Sequence, residues 1–142
     1  MNIIVPHQIR KKELGGAVAV EVRKLFAKLK EKPELAAGIS APGLPSRTTL
    51  HKVYATTESG ARRLLFFCRR PMPVSASGGA PQTPAATTDR WVLLFYRDKS
   101  DSVGKNMSPK NADFTRQLAK NLSLAIQDIA NSTADNPRYD LF

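Results

Sequence analysis

Lysine, arginine and tyrosine side chains occur in the stretches of this sequence that are typical of β-strands, and together they suit the chemistry of phosphate esters. Arginine binds phosphate through two parallel hydrogen bonds and stays charged at any physiological pH. RNA can be cleaved without a metal, because its own 2′-hydroxyl attacks the phosphate when a base takes the proton and cations hold the added charge. Residues of these types that lie in or at the ends of neighbouring predicted strands include Lys52, Arg62, Tyr96 and Lys99.

The overall charge points to an anionic partner. The chain of 142 residues has 22 Lys and Arg against 12 Asp and Glu, a formal net charge of +10. Such an excess concentrates anions at the surface, so the candidate partners are nucleic acid, an anionic membrane or an acidic protein. No apolar run reaches the roughly 18 residues of a spanning helix, and the first residues do not form a signal peptide. We therefore expect a cytoplasmic protein with no membrane partner, and RNA as the first candidate.

Metal and thiol chemistry find little support in the sequence. Cys68 is the single cysteine, which excludes an internal disulfide and a cysteine-based metal cluster. It lies in an apolar run, so we expect a buried small hydrophobic residue. The carboxylates Asp98, Asp101, Asp113 and Asp128 do not have metal-ligand spacing on one element. We predict no metal and no cofactor.

The hydrophobic pattern predicts one α+β domain over residues 1–142. Residues 2–5 favour a short edge strand, and an apolar stripe with a basic opposite face predicts a helix over 14–32. A short second helix is expected at 34–37. Strands are expected at 48–57, 62–70 and 91–97, forming a small antiparallel sheet.

The remaining segments are a helix, a connection and a tail. Ser108 followed by Pro109 is typical of a helix start, and an i, i+4 apolar stripe carries that helix to about residue 130. Residues 71–89 are rich in Pro, Ser, Ala and Gly, which favours a long flexible connection. We expect the tail at 131–142 to be loose.

Three motifs resemble the RelE/ParE superfamily of toxins from type II toxin–antitoxin systems, and most of all its RelE/HigB-like branch. Leu50-His51-Lys52 resembles the Leu-aromatic-Lys at the start of the first hairpin strand, and Gly60-Ala61-Arg62 resembles the Gly-x-Arg that opens the next strand. The run from Trp91 to Lys99, followed by Asn106-Met107-Ser108, is similar to the last strand and the cap of the final helix. The similar region covers roughly residues 14 to 130.

The resemblance implies a RelE-like fold and a function. It implies an endoribonuclease that cleaves mRNA on the ribosome without metal, neutralised by an acidic antitoxin in a hetero-oligomer. Arg62, Lys52 and Lys99 would bind phosphate or stabilise transition-state charge, and Tyr96 or Tyr54 would stack on a base or orient the nucleophile. The further candidate RNA contacts are His51, Tyr54, Arg63, Arg69 and Arg97. The chain departs from the family at Tyr54, where many members carry arginine, and in the long 71–89 loop.

Strand alternation divides these candidates between two faces of the sheet. Lys52 and Tyr54 share one face, whereas His51 points to the other. Arg62 and Arg63 also point to opposite sides, and the Gly-x-Arg match selects Arg62. If the helices cover one face, the open face is expected to carry the chemistry. Two alternatives remain open, a ParE-like inhibitor of DNA gyrase and a non-catalytic nucleic-acid-binding module.

Overall fold

A computed structural model describes residues 1–39, 41, 44–45, 47–69 and 89–142. The strands are β1 (Asn2–Pro6), β2 (Ala36–Ile39), β3 (Thr48–Thr57), β4 (Gly60–Arg69), β5 (Arg90–Asp98) and β6 (Tyr139–Leu141). The helices are α1 (His7–Ile9), α2 (Val20–Glu31) and α3 (Ala112–Asn131), with a π-helical turn at Arg10–Leu14 and a 3-10 turn at Pro33–Leu35. The chain is therefore α+β, as the sequence predicts.

The six strands form one mixed sheet in the order β2-β3-β4-β5-β1-β6. The three predicted central strands are confirmed as antiparallel neighbours, and β3 and β4 form a ten-residue hairpin around the turn at Glu58 and Ser59. β1 runs parallel to β5, so the small purely antiparallel sheet predicted from the sequence is wrong in this part. A parallel neighbour needs a long crossover, and the whole chain from α1 to β4 lies between β1 and β5.

The helices lie on both faces of the sheet. Phe26 of α2 meets Phe66 of β4 with ring centroids 6.2 Å apart, whereas Phe114 of α3 meets Phe95 of β5 at 6.0 Å. Phe95 is the cross-strand partner of Leu65, whose side chain points away from that of Phe66. We call the two sides the α2 face and the α3 face. The condition that the helices cover one face alone is thus not met, because apolar residues on both faces of β4 and β5 require cover.

The N-terminal strand and the C-terminal tail both differ from the sequence prediction, because they pair with each other. β1 is not an edge strand, because β6 pairs antiparallel with it. Ile3 and Phe142 exchange backbone hydrogen bonds of 3.0 and 2.8 Å, and the Phe142 ring lies 5.4 Å from that of Phe26. The tail over 131–142 therefore ends in an ordered strand. Its three residues are too few to show a strand periodicity in the sequence.

Helix boundaries shift where backbone geometry overrides hydrophobic period. Gly15 and Gly16 have φ values of +73° and +149°, which a helix does not tolerate, so α2 begins at Val20 rather than at residue 14. The short helix expected at 34–37 is the 3-10 turn followed by β2. α3 begins at Ala112, because the Asn111 side chain accepts a hydrogen bond of 3.1 Å from the N–H of Asp113. Ser108-Pro109 precedes it as a turn.

Two further expectations concern Cys68 and the long connection. Cys68 is 2% exposed, which confirms its packing role. The connection over 71–89 lies outside the described residues, except for Asp89. Within the described ranges no helix has the length and apolar character needed to cross a bilayer.

Phe142→Ala tests the contribution of the last strand. We expect a loss of about 1–2 kcal/mol in the free energy of unfolding, below the 3–5 kcal/mol typical of a fully buried ring because Phe142 is half-buried. Urea unfolding measures it. Leu141→Ala is the matched control, since its side chain is 60% exposed and a loss below about 0.5 kcal/mol is expected. Equal losses in the two variants would contradict the packing role.

Candidate nucleic-acid interface

An exposed tyrosine flanked by two cations lies on the α3 face of the hairpin. The side chain of Tyr54 on β3 is 60% exposed. The guanidinium carbon of Arg63 lies 4.1 Å from its ring centroid, and the Lys52 Nζ lies 5.3 Å from it. Neither cation forms an ion pair within the described ranges. We call Lys52, Tyr54 and Arg63 the hairpin site.

The register of the hairpin places these residues together. Tyr54 and Arg63 are direct cross-strand partners, and Arg63 is in turn the partner of Arg97 on β5. Lys52 precedes Tyr54 by two residues, so alternation puts it on the same face. A row of side chains therefore runs across three strands, and Arg97 is the member nearest to α3.

Arg97 is engaged by protein groups rather than offered to a ligand. Its Nε and Nη2 donate to the Glu13 carboxylate at 2.7 and 2.8 Å, and Nη2 also donates to Gln117 Oε1 at 2.7 Å. Glu13 is 1% exposed and accepts the N–H of Tyr96 at 3.0 Å as well. These hydrogen bonds to Glu13 raise the pKa of the Arg97 guanidinium, although burial opposes them. Arg97 therefore joins the π-helical turn to β5, and its place among the RNA contacts is not favoured.

Arg62 and Tyr96 meet on the opposite face. Arg62 lies 5.9 Å from the Tyr96 ring centroid and donates to Asp98 Oδ2 at 2.9 Å. The Tyr96 hydroxyl is buried without a hydrogen-bond partner among the described residues. Burial, followed by the Glu21 carboxylate, raises the pKa of Tyr96. The four predicted catalytic residues are therefore not brought together, since Lys52 lies on the α3 face and this pair on the α2 face.

The remaining candidates are dispersed. His51 lies on the α2 face, where its ring stacks on Trp91 at 4.7 Å and its Nε2 bonds Thr49 Oγ1 at 2.9 Å. Arg69 is exposed at the far end of β4, opposite Arg90. That end lies four residues from the level of Lys52, or about 14 Å. Lys99 is exposed in the turn after β5 and donates its backbone N–H to Ala61.

The sequence analysis did not predict two features of the site, the pairing of Tyr54 with Arg63 and that of Glu13 with Arg97. The sequence contains a signal for the first of them. A two-residue turn at Glu58 and Ser59 pairs Thr57 with Gly60, which makes Arg63 the partner of Tyr54. Counting back from that turn would have selected Arg63 instead of Arg62. Glu13 had no such signal, since its partner Arg97 lies 84 residues away.

Comparison with protein-family models, with curated proteins and with solved structures finds no match for the chain. The described residues contain no group of three or more His, Cys, Asp or Glu side chains that could hold a metal ion. The assignment of the site therefore rests on the geometry given above and on the motif resemblance.

Glu13→Gln tests the pairing that holds Arg97. Removing one partner of a buried ion pair typically costs about 3–5 kcal/mol, because the other charge is left uncompensated. Asp101 still contacts Arg97, so we expect a smaller loss of about 2–3 kcal/mol in the free energy of unfolding. Chemical denaturation gives the value. Glu31→Gln, at an exposed position of α2, is expected to change stability by less than about 0.5 kcal/mol. A loss for Glu13→Gln no larger than that of the control would refute the pairing.

Asp101 predicts a pH dependence of stability. Burial raises the pKa of this carboxyl, but the N–H groups of Val103 and Gly104 together with Arg97 outweigh burial and leave the pKa below its ordinary 3.8. A depressed folded pKa gives stability that is complete above the unfolded value and is lost as the pH falls through the folded value. Asp101→Asn should therefore reduce the fall in unfolding free energy below about pH 4. Parallel pH profiles for the two proteins would exclude this contribution.

Proposed function

We propose that the chain is the toxin of a type II toxin–antitoxin pair of the RelE/HigB-like kind, and that it cleaves mRNA on translating ribosomes without a metal. The observation that supports this most is the hairpin site, where an exposed aromatic ring carries two cations on the surface of a rigid sheet. Exposed aromatic rings stack on unpaired bases, and cations bind the phosphates of the RNA backbone. This is the usual chemistry of single-stranded RNA recognition.

The hairpin site supplies the parts that metal-free cleavage needs. A base stacks on the exposed part of the Tyr54 ring, while the Arg63 guanidinium holds the scissile phosphate through its Nε and Nη2 donors. The third nitrogen, Nη1, already donates to the Arg62 carbonyl at 3.3 Å. Lys52 adds a second positive charge where the phosphate becomes more negative as the 2′-oxygen attacks. The Tyr54 oxygen, when deprotonated, takes the proton of the 2′-hydroxyl, and the Lys52 ammonium donates a proton to the leaving 5′-oxygen as its bond to phosphorus breaks. The products are a 2′,3′-cyclic phosphate and a 5′-hydroxyl end.

The geometry and the motif resemblance favour different arginines. Arg62 matches the Gly-x-Arg motif, yet its guanidinium is paired with Asp98. Arg63 lies on the same face as Lys52 and Tyr54 and has no carboxylate partner in the described ranges. A carboxylate partner offsets the charge that a phosphate would otherwise meet. We therefore assign phosphate binding to Arg63.

The partners follow from charge and from the resemblance. A net charge of +10 suits both the ribosome and an acidic antitoxin that covers the basic surface in a hetero-oligomer. Neutralisation by such a partner would take place in the cytoplasm, where mRNA is translated.

A non-catalytic nucleic-acid-binding module is the second candidate. It is favoured by one observation: no imidazole or carboxylate among the described residues hydrogen-bonds to Lys52, Tyr54 or Arg63. Binding needs the ring and the cations alone, whereas cleavage also needs proton transfer from them. The two candidates therefore differ in the fate of the RNA and not in its affinity.

Expression of the chain from an inducible promoter, with the 5′ ends of cellular mRNA mapped, distinguishes the candidates. We expect growth arrest and new mRNA ends inside translated regions, absent when translation initiation is blocked beforehand. Growth arrest with intact mRNA would overturn the proposal. Arrest with DNA breaks and an SOS response would support the ParE-like alternative instead. RNA binding in vitro with neither arrest nor cleavage would support the binding module.

Arg63→Ala and Arg62→Ala form a matched pair, since the two arginines are adjacent and lie on opposite faces. Loss of a preorganised charged donor typically lowers a rate by about 100-fold, and we expect this for Arg63→Ala in a ribosome cleavage assay. Arg62→Ala should lower the rate by less than about tenfold, and Lys110→Ala, in the exposed turn before α3, should leave it unchanged. Circular dichroism checks folding. A larger effect of Arg62→Ala than of Arg63→Ala would contradict phosphate binding by Arg63 and support Arg62, the residue that matches the motif.

A further inference from the structure

A second basic region surrounds a surface pocket of about 440 Å³, widely open to solvent and called the cavity below, that the hairpin site does not use. The cavity lies between α1, the C-terminal part of α3 and the residues before β6. Its basic lining residues are His7, Arg10, Lys11 and Arg138. The volume is that of a small-molecule site, which is typically 300–1,000 Å³.

Several hydrogen-bond donors around the cavity have no protein acceptor. Arg10 uses Nη1 to bond Asp140 at 2.6 Å, which leaves four of the five donors of its guanidinium. The side chains of Lys11 and Arg138 form no hydrogen bond or ion pair within the described part of the chain. The lining thus contains two cations without a carboxylate partner in the described part of the chain, Lys11 and Arg138, and a third, Arg10, that keeps free N–H donors.

The carboxylates near the cavity already accept hydrogen bonds from protein groups. Asp128 is 2% exposed, and its two oxygens accept the Gln8 backbone N–H at 2.8 Å and the Gln8 side-chain amide at 3.1 Å. Asp140 accepts from Arg10 and lies 3.3 Å from the Nε2 of His7. These carboxylates fix the walls and reduce the net charge without filling the cavity.

The wall that carries Arg138 is preorganised. The Arg138 N–H donates to Ser132 Oγ at 2.9 Å, and its carbonyl accepts the His7 N–H at 2.9 Å. The Asn136 N–H donates to Thr133 Oγ1 at 3.0 Å, which closes the turn before it. The backbone that carries Arg138 is therefore held in place before binding, which avoids the entropic cost of ordering that backbone.

We propose that this cavity binds a phosphate group, either of a small phosphorylated molecule or of a nucleic-acid strand. Two arginines and a lysine around a concave space are the residue types that bind phosphate oxygens through charge-assisted hydrogen bonds. The neighbouring Pro137 surface gives an apolar contact for a sugar or a base. The site is independent of cleavage at Tyr54, so either proposal stands if the other fails.

The two histidines of the chain allow a direct test by NMR. His7 lines the cavity, whereas His51 stacks on Trp91 far from it and serves as an internal control. Inorganic phosphate and adenosine 5′-monophosphate are titrated at constant ionic strength up to about 10 mM, which detects millimolar affinity. We expect a saturable shift of the His7 imidazole signals and none at His51. Arg138→Ala should weaken the affinity about tenfold, and Lys110→Ala should not change it.

Competition with RNA identifies the source of the phosphate. In the Arg63→Ala protein, displacement of phosphate by an RNA of about 12 nucleotides, a length within the range that single-strand-binding domains cover, supports a nucleic-acid strand. Binding of phosphate and nucleotide without displacement by RNA supports a small phosphorylated ligand. A His7 signal that does not move, or that moves equally in Arg138→Ala, would overturn the phosphate site, and cleavage assays would be unaffected by that outcome.

Discussion

The two-residue turn at Glu58 and Ser59 is the constraint on which the placement of every hairpin side chain depends. It fixes ten cross-strand pairs, so a shift by one residue would exchange the faces of all of them. With the observed register Tyr54 meets Arg63, and Ala55 meets Arg62. Two adjacent arginines thereby acquire opposite environments: Arg63 stacks on an exposed ring, and Arg62 is paired with Asp98 below α2. The chemistry available to each follows from this geometry alone.

The Glu13–Arg97 pair makes that register tolerable. Arg63 and Arg97 are direct cross-strand partners, and like charges in that position repel. Glu13, almost fully buried, places a carboxylate against Arg97 and offsets its charge. Lys12 in the same π-helical turn bonds the Asn121 side chain at 2.5 Å, and burial lowers the pKa of its ammonium. One turn thus neutralises the inner arginine and ties β5 to α3, so that Arg63 keeps its charge toward solvent.

Local sequence patterns predicted the elements well and their partners poorly. The central strands and both long helices follow from hydrophobic period, and Tyr54 and Lys52 were correctly placed on one face. The turn at Gly15 and Gly16, the Asn111 cap and the strand at Tyr139–Leu141 were missed, because each depends on a backbone angle or on a distant partner. Arg62, the arginine that the motif selects, lies on the opposite face from Lys52 for a different reason. A motif identifies which residue type occurs near a position. The face of the sheet on which that side chain lies depends on the number of residues between it and the hairpin turn.

The positions of the two basic regions indicate how a long anion would lie on the molecule. Ile4 pairs with Val92, and Pro6 with Tyr139, so the cavity beside α1 lies at the same end of the sheet as the hairpin site. Three strands lie between β3 and β6, so four inter-strand spacings of about 4.8 Å place them roughly 19 Å apart. Between the two regions lies Arg97, whose charge Glu13 offsets, and beside it lies Lys12, whose ammonium interacts with the charges of Arg97 and Lys120. A strand of RNA that reached both regions would therefore also pass the exposed Lys12, so the two regions would not be its only basic contacts.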